Sequence, residues 1–210
     1  MLFSNNFTRV LMICAVACAF SGCVSLITPK VEKEVAKLKA GQYSLDKTHA
    51  AVLFKIQHLG LSTYVGRFNE VDATLDFDPN NSAQAKLNAT IEIDSLDIND
   101  DGLKKDLMGG GWFNQSKYPQ AKFTTLSVSP KSENELEFIG NLDWRGVVKP
   151  VTLLVTFHGG ANNILTGKYT IGFSAKGSFL RSEFGMDKFT PLVGDEVQIE
   201  AFAEFLKNTN

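Results

Sequence analysis

The sequence predicts an all-β domain whose strands close into an eight-stranded antiparallel barrel, with a short helix and loop across one end. Apolar and polar residues alternate with a period of two from Tyr43 onward, which is typical of strands with one buried face. Short clusters of turn-forming residues separate most alternating stretches, which favours antiparallel neighbours. The stretches are also long, and closure leaves no unpaired strand edge.

Length and composition favour one domain preceded by a leader. The chain has 210 residues, 44% of them hydrophobic, and its 21 basic and 23 acidic side chains give a net charge of −2. This balance lacks the excess of positive charge that is typical of nucleic-acid-binding proteins. The composition excludes a disordered chain and a multi-span membrane protein. With three His and three Cys, we expect no metal site and no cofactor.

Residues 1–22 are predicted to be a signal peptide. Arg9 precedes an apolar run over residues 10–20, which is too short to span a bilayer but fits the core of an export signal. The chain is therefore expected to be exported, and the resemblance of the following segment to bacterial lipoproteins implies the periplasm.

The segment Ser21-Gly22-Cys23 resembles a lipobox, in which Cys23 becomes lipidated and forms the first mature residue. Cys18 is a competing site, and cleavage nearby without lipid attachment is a further alternative. Cys23 would be the sole cysteine of the mature chain, and a lipidated thiol avoids unwanted oxidation. Val24 rather than Asp follows it, and by resemblance to enterobacterial lipoproteins this implies a lipoprotein anchored to the outer membrane.

Residues 23–40 are predicted to be a lipid-anchored tether. Val31, Val35 and Leu38 fall at helical spacing among Lys and Glu, which favours a short amphipathic helix or a stalk.

Eight strands are predicted within the domain over residues 41–207. Each has one apolar row, and they cover residues 52–57, 71–78, 87–93, 122–128, 136–144, 151–157, 165–181 and 197–205. Turn clusters at residues 78–81, 129–132 and 159–163 separate some of them. Residues 95–119 are predicted to form the helix and loop across one end.

Small residues interrupt the inward rows and leave two alternatives for the interior. These residues are Ala73, Ala89, Gly140, Ala175, Gly177, Ala201 and Ala203. They favour an internal cavity, but an eight-stranded barrel is also small enough for its large side chains to fill it.

Two polar residues continue apolar rows at their ends, which places them near a barrel mouth. His58 extends the row of Phe54 and Ile56, and Arg181 extends the row of Phe179. Arg181 is a candidate to bind a phosphate or carboxylate by bidentate hydrogen bonds, with His58 as a further donor. The alternative for Arg181 is an ion pair with a nearby acidic residue, and a bulge would turn either side chain outward.

The remaining polar residues do not assemble an enzyme site. His49 is expected to form a local turn with Asp46, and His158 is expected to face solvent. The motifs GxSxG, GxxxxGK[ST], HExxH and GxGxxG do not occur in the sequence. We therefore expect no enzymatic activity.

Several segments together resemble the YceI-like lipid/polyisoprenoid-binding family. The resemblance begins with YSLDKTH and VLFKIQH, and it continues in order through residues 66–68, 107–119 with Phe123, 140–142, 146–151, 181–186 and 193–197. It spans the domain, although residues 109–113 and 144–145 depart from the usual pattern.

The resemblance implies a lipocalin-like barrel that holds a long isoprenoid, quinone or fatty-acyl lipid for carriage or sequestration. The expected partners are this lipid and the bacterial membrane, not nucleic acid, and an oligomer is left open. The alternative is a structural or partner-binding lipoprotein with a filled barrel. The expected lining residues are Phe54, Ile56, His58, Leu75, Phe77, Ile91, Phe138, Leu142, Phe173, Phe179 and Arg181.

Overall fold

A computed structural model describes residues 29–209 and shows ten β-strands and one α-helix in that range. The predicted signal peptide and Cys23 lie outside the described residues. The elements are β1 Gly41–His58, β2 Ser62–Phe68, β3 Val71–Phe77, β4 Lys86–Glu92, β5 Leu96–Asp97, α1 Asp101–Met108, β6 Gln120–Pro130, β7 Glu135–Trp144, β8 Val147–Asn162, β9 Tyr169–Leu180 and β10 Val193–Lys207. Within them, no helix is long and apolar enough to cross a bilayer.

The strands form a closed antiparallel barrel, as the sequence predicts. Neighbours follow the order β10, β9, β8, β7, β6, β4, β3, β1, and β1 closes the wall by pairing with β10. The first half of β1 pairs with β3 and the second half with β2, while β5 extends β4 beside β2. Segments β2 with β3, and β4 with β5, are thus two interrupted strands, so ten segments give eight positions in the wall.

One end of the barrel, here called the closed end, is filled by large side chains. β1 begins there, with Tyr43 opposite Leu75 on β3 and Lys207 on β10. Fully buried residues pack across the interior at this end, among them Tyr43, Leu75, Phe77, Phe138, Phe157, Ile171 and Phe205.

The opposite end, here called the open end, carries the predicted helix and loop. Asp100 caps α1, because its Oδ1 accepts a hydrogen bond from the Leu103 backbone N–H at 2.9 Å. Leu107 and Phe113 pack against barrel residues such as Phe54 and Trp144. The helix and the loop after it therefore lie across this end, which confirms the prediction.

The segment before β1 packs against the closed end. Glu32 exchanges two backbone hydrogen bonds of 2.8 Å with Gly160, and the side chains of Val35 and Leu38 are buried. A short helix or a stalk is expected within residues 23–40, and the described part, residues 29–40, contains one 3-10 turn, Val35–Lys37. Of the three apolar residues at helical spacing, Val35 and Leu38 are buried against the barrel, whereas Val31 is exposed.

The turn predicted at residues 159–163 is wrong. β8 continues through it to Asn162 with a bulge between Phe157 and Gly159, and the turn follows at residues 163–168. Gly159 has φ +125°, and a Cβ there would lie 2.5 Å from the Glu32 carbonyl oxygen. These glycines therefore admit the incoming N-terminal segment instead of reversing the chain. The strand expected over residues 165–181 accordingly begins at Tyr169.

Candidate functional site

The barrel encloses a cavity of about 580 Å³ between the closed end and α1. Nearly all of the side chains around it are apolar, and small ones recur on the inward rows, namely Ala50, Ala73, Ala89, Ala175, Ala201 and Ala203. The cavity exists because these methyl groups stand where larger side chains would fill the interior. The prediction of a cavity is confirmed, and the alternative of a filled barrel is wrong.

Two glycines of the inward rows have a different role. A Cβ at Gly140 would lie 2.3 Å from the ring of Phe123, and one at Gly177 would lie 2.5 Å from the Thr152 carbonyl oxygen. Both positions are occupied by close neighbours. They permit tight packing within the wall and do not enlarge the cavity.

Eight of the eleven residues predicted to line the interior border the cavity. They are Phe54, Ile56, His58, Ile91, Leu142, Phe173, Phe179 and Arg181. Leu75, Phe77 and Phe138 do not, since they are at most 2% exposed and belong to the packed cluster of the closed end. They point inward as expected but form the floor beneath the cavity.

Aromatic side chains form a collar around the cavity at the open end. The ring of Trp144 lies 5.2 Å from Phe113, 6.1 Å from Phe179 and 6.2 Å from Phe184, measured between ring centroids. The rings of Phe179 and Phe184 are 5.2 Å apart in an edge-to-face arrangement. Phe113, Trp144 and Phe179 of this collar border the cavity and present mainly aromatic surface to it. Trp144 Nε1 is buried and has no hydrogen-bond partner among the described residues.

Trp112, Phe113 and Trp144 were missed as lining residues by the sequence prediction. Trp112 and Phe113 follow α1 in a loop with no period, and Trp144 closes β7 before the turn at Arg145-Gly146. Arg145 joins the two regions, because its guanidinium donates to the carbonyls of Phe184 and Gly110. The available signal was the departure of residues 109–113 and 144–145 from the family pattern.

Arg181 points into the barrel as predicted, but its hydrogen bonds go to the protein backbone. Nε donates to the Gly194 carbonyl at 2.7 Å, Nη1 to the Met186 carbonyl, and Nη2 to Thr190 Oγ1 at 2.9 Å and to the Val193 carbonyl at 2.8 Å. Four of its five N–H groups are therefore used. The expected bidentate contact with a ligand head group is not supported, because no free pair of N–H groups remains.

The structure shows no ion pair between Arg181 and a carboxylate among the described residues, because the guanidinium donates to backbone carbonyls and to Thr190 instead. Asp195 accepts hydrogen bonds from the backbone N–H and the hydroxyl of Ser182 at 2.9 and 2.7 Å. Burial lowers the pKa of Arg181, while the charges of Asp195 and Asp187 oppose this shift. The guanidinium stays protonated at neutral pH and holds residues 186–194 against the open end.

The mouth of the cavity lies between the β1–β2 turn and the segment that Arg181 holds. His58 and Phe189 are exposed lining residues, and Tyr64, Trp112 and Val193 are partly exposed beside them. His58 therefore sits at a barrel mouth, as its place in the sequence predicts.

The other histidines lie on the outer surface. His49 Nδ1 is 3.0 Å from Asp46 Oδ2, as the expected pairing of the two residues requires, but residues 46–49 form a bulge within β1 rather than a turn. Glu204 is the third member of this polar cluster. His158 is exposed and contacts Ser174 Oγ at 3.0 Å. Local hydrogen bonds among Asp46, Thr48 and His49 account for the first two members of this partly exposed cluster.

The arrangement of the cavity is suited to binding an apolar chain. Among its lining residues, His58, Tyr64 and Arg181 are the titratable ones, and Arg181 is engaged with the backbone. None of the described lining residues forms a hydrogen-bonded pair of nucleophile and base. What the cavity offers a ligand is mainly apolar surface.

Known proteins show similarity over the same region. The YceI-like domain matches residues 43–205. Protein YceI of Salmonella arizonae is 38% identical over 162 residues, which cover 76% of this chain and 84% of that protein.

Three solved structures share the fold. Burkholderia cenocepacia BcnA has 27% identity and a TM-score of 0.69, over 76% of this chain and 98% of that one. The YceI protein of Campylobacter jejuni has 30% identity and a TM-score of 0.66, over 74% and 91%. A domain from Saccharophagus degradans, described as polyisoprenoid binding, has 13% identity and a TM-score of 0.61, over 81% and 100%.

Proposed function

Because this chain belongs to the YceI-like family, we propose that its barrel binds one long apolar lipid, of the polyisoprenoid, quinone or fatty-acyl type. The lipid would be carried or sequestered, without chemical change, in the bacterial periplasm. The observation that carries the proposal is the cavity of about 580 Å³, which is walled by apolar side chains.

The shape of the cavity supports a long chain rather than a compact polar ligand. It runs from the aromatic collar at Trp144 down to Phe173 and Phe205 near the closed end. Its volume lies within the range of about 300–1,000 Å³ that is typical of small-molecule sites. The floor of packed side chains stops the ligand at one end, so entry is expected through the mouth at the other.

Burial of a hydrocarbon chain supplies enough free energy without polar contacts. A chain of about 16 methylenes, at about 0.8 kcal/mol each, gains on the order of 13 kcal/mol before the costs of ordering and association. Tight binding is therefore compatible with a lining that has few hydrogen-bonding groups.

Location and anchoring form part of the proposal and rest on the sequence. The export signal over residues 1–22 and the lipobox-like segment before Cys23 support a lipoprotein of the outer membrane. The absence of a nucleophile–base pair among the described lining residues is compatible with carriage rather than catalysis.

Native mass spectrometry of the full chain purified from its own host tests the proposal. We expect a bound mass that corresponds to one long-chain lipid and that leaves the protein on organic extraction. A protein that carries no lipid, and that takes up neither a polyprenol nor a quinone nor a fatty acid when these are added, would refute it. The mass of the N-terminal fragment would show whether Cys23 is lipidated.

A further inference from the structure

Four exposed apolar side chains surround the mouth of the cavity on two neighbouring loops. Leu59 and Leu61 lie in the β1–β2 turn and are 49% and 85% exposed, and Phe189 and Leu192 lie before β10 and are 56% and 61% exposed. These four residues are here called the mouth rim. Apolar side chains concentrated around one opening mark a contact surface, whereas scattered ones need no explanation.

The mouth rim is held in place by specific hydrogen bonds. The Leu59 backbone N–H donates to the Leu192 carbonyl at 2.7 Å, which ties the two loops together. Within the second loop, the Val193 N–H donates to the Phe189 carbonyl at 2.9 Å, and Arg181 donates to the Thr190 hydroxyl and the Val193 carbonyl. The apolar side chains of the mouth rim therefore project from loops whose backbone is fixed by hydrogen bonds.

The mouth rim is continuous with the cavity. His58 and Val193 border the cavity, and they directly precede Leu59 and directly follow Leu192 along the chain. Phe189 borders the cavity while being exposed. A surface pressed against the mouth rim would thus be in direct contact with the cavity entrance.

The polar groups beside the mouth rim fit the headgroup layer of a membrane. Lys188 Nζ lies 5.0 Å from the ring centroid of Phe189 and 6.0 Å from that of Trp112. This contact places the Lys188 ammonium at the mouth, where a cation can bind lipid phosphates, and tryptophan favours the membrane interface. This combination of protruding leucines, a tryptophan and a cation favours a bilayer over a protein partner.

We propose that the mouth rim docks the barrel on the surface of a lipid bilayer, so that lipid passes between bilayer and cavity without crossing water. The passage of lipid rests on the proposed function, whereas the docking itself is measured separately. The described chain enters the barrel at the closed end, through the pairing of Glu32 with Gly160. The first described residues therefore lie at the end of the barrel opposite to the mouth rim.

The first experiment measures docking with the full chain and vesicles of phosphatidylethanolamine and phosphatidylglycerol that carry brominated acyl chains. Bromine quenches tryptophan fluorescence at short range, and Trp112 lies 6.2 Å from Phe189 between ring centroids. The test variant is Leu61→Asp with Leu192→Asp. The matched control is Leu165→Asp, because Leu165 is 96% exposed in the turn before β9, away from the mouth.

We expect quenching of the wild type and of the control, and a loss of about threefold or more in the test variant. All three chains share one N-terminus, so an anchor contributes equally to each. Equal quenching of the test variant, or no quenching of any chain, would overturn the proposal. A dimer seen by sedimentation that the test variant abolishes, without quenching, would also overturn it and assign the mouth rim to a second copy.

The second experiment separates docking from lipid binding, with cis-parinaric acid as the probe. We expect the test variant to bind the probe from detergent solution like the wild type, but to take it up from vesicles on the order of tenfold more slowly. Equal uptake rates would overturn transfer through the mouth rim. Failure of every chain to bind the probe from detergent would count against the proposed function, while the quenching result would still decide whether the mouth rim docks.

Discussion

At the scale of single residues, Arg181 shows how a buried charge can be satisfied by the backbone. It is 2% exposed, and its donors hold the carbonyls of Met186, Val193 and Gly194. Met186 lies in the loop before β10, and Val193 and Gly194 begin β10, so the guanidinium ties this loop to the start of the strand. The loop that carries half of the mouth rim thereby obtains a defined shape.

Replacement of Arg181 should destabilise the fold, because these carbonyls would lose their hydrogen-bond donor. We expect Arg181→Met to lower the free energy of unfolding by about 2–4 kcal/mol, because several buried acceptors lose their donor. Urea denaturation measures this change. Arg67→Met is the control, since Arg67 is exposed on β2 and should change the free energy by less than about 0.5 kcal/mol. Equal effects of the two substitutions would contradict the role given to Arg181.

His49 is a second residue whose chemistry is set locally. The hydrogen bond and charge of Asp46, with a contribution from Glu204, raise the pKa of His49 above its ordinary value of 6.5. The hydrogen bond from Thr48 lowers the pKa of Asp46. The Asp46–His49 pair thus favours the charged form of each partner.

The pH dependence follows from the direction of the His49 shift. Because the pKa is raised in the folded state, protonated His49 stabilises the fold fully below pH 6.5, and this contribution disappears as pH rises through the raised pKa. An NMR titration should show the raised pKa in the wild type and in Asp143→Asn, a distant surface control. In Asp46→Asn it should return toward the ordinary value; an unchanged titration there would refute the pairing.

At the scale of elements, β6 and β7 pack closely because Gly140 on β7 has no side chain. The ring of Phe123 on β6 occupies the place where Gly140 on β7 would carry a Cβ, and the Thr124 carbonyl oxygen lies 2.7 Å from that point. A side chain can rotate away from an added Cβ, whereas displacement of the Thr124 backbone would cost more free energy. The glycine therefore sets how closely these strands fit.

Substitution of this glycine should cost more than its small size implies. We expect Gly140→Ala to lower the free energy of unfolding by about 1–3 kcal/mol through overpacking. Gly172→Ala is the matched control, because Gly172 also lies in a strand but has nothing within 4 Å of its ideal Cβ. Thermal and urea unfolding of both variants check the difference, and similar losses at both sites would argue against the close fit.

At the scale of the whole molecule, the barrel is packed at one end and hollow at the other. Large side chains such as Tyr43 and Phe205 fill the closed end, while Ala201 and Ala203 leave space above it. An unfilled apolar interior costs stability, since its lining lacks partner atoms. Retention of that space is consistent with selection for a bound ligand rather than for stability.

Filling the cavity should remove binding without loss of the fold. We expect Ala201→Phe to weaken lipid binding roughly tenfold or more, while the free energy of unfolding changes by less than about 1 kcal/mol. Ser178→Phe, on the exposed face of β9, is the control and should bind like the wild type. Lipid titration and urea denaturation test both variants. Unimpaired binding by Ala201→Phe would show that the cavity is not the binding site.

The barrel could be predicted from the sequence because strand patterning is local. The alternation along β9 and β10 reports which side chains face inward, and it did so correctly for Phe179 and for Arg181. The same signal failed at Gly159 and Gly160, where a pair of glycines resembled a turn. Their true role depends on Glu32, more than a hundred residues earlier in the chain.

The sequence by itself determined the fold class, the apolar interior and the family, because a period of two and its turn residues are properties of neighbouring positions. Only the tertiary structure decided how far along the barrel axis each inward side chain lies. Phe54 and Phe77 share the same inward orientation, yet one borders the cavity and the other forms its floor. Depth depends on how each strand is staggered against the next, and this stagger is set by pairing between distant segments.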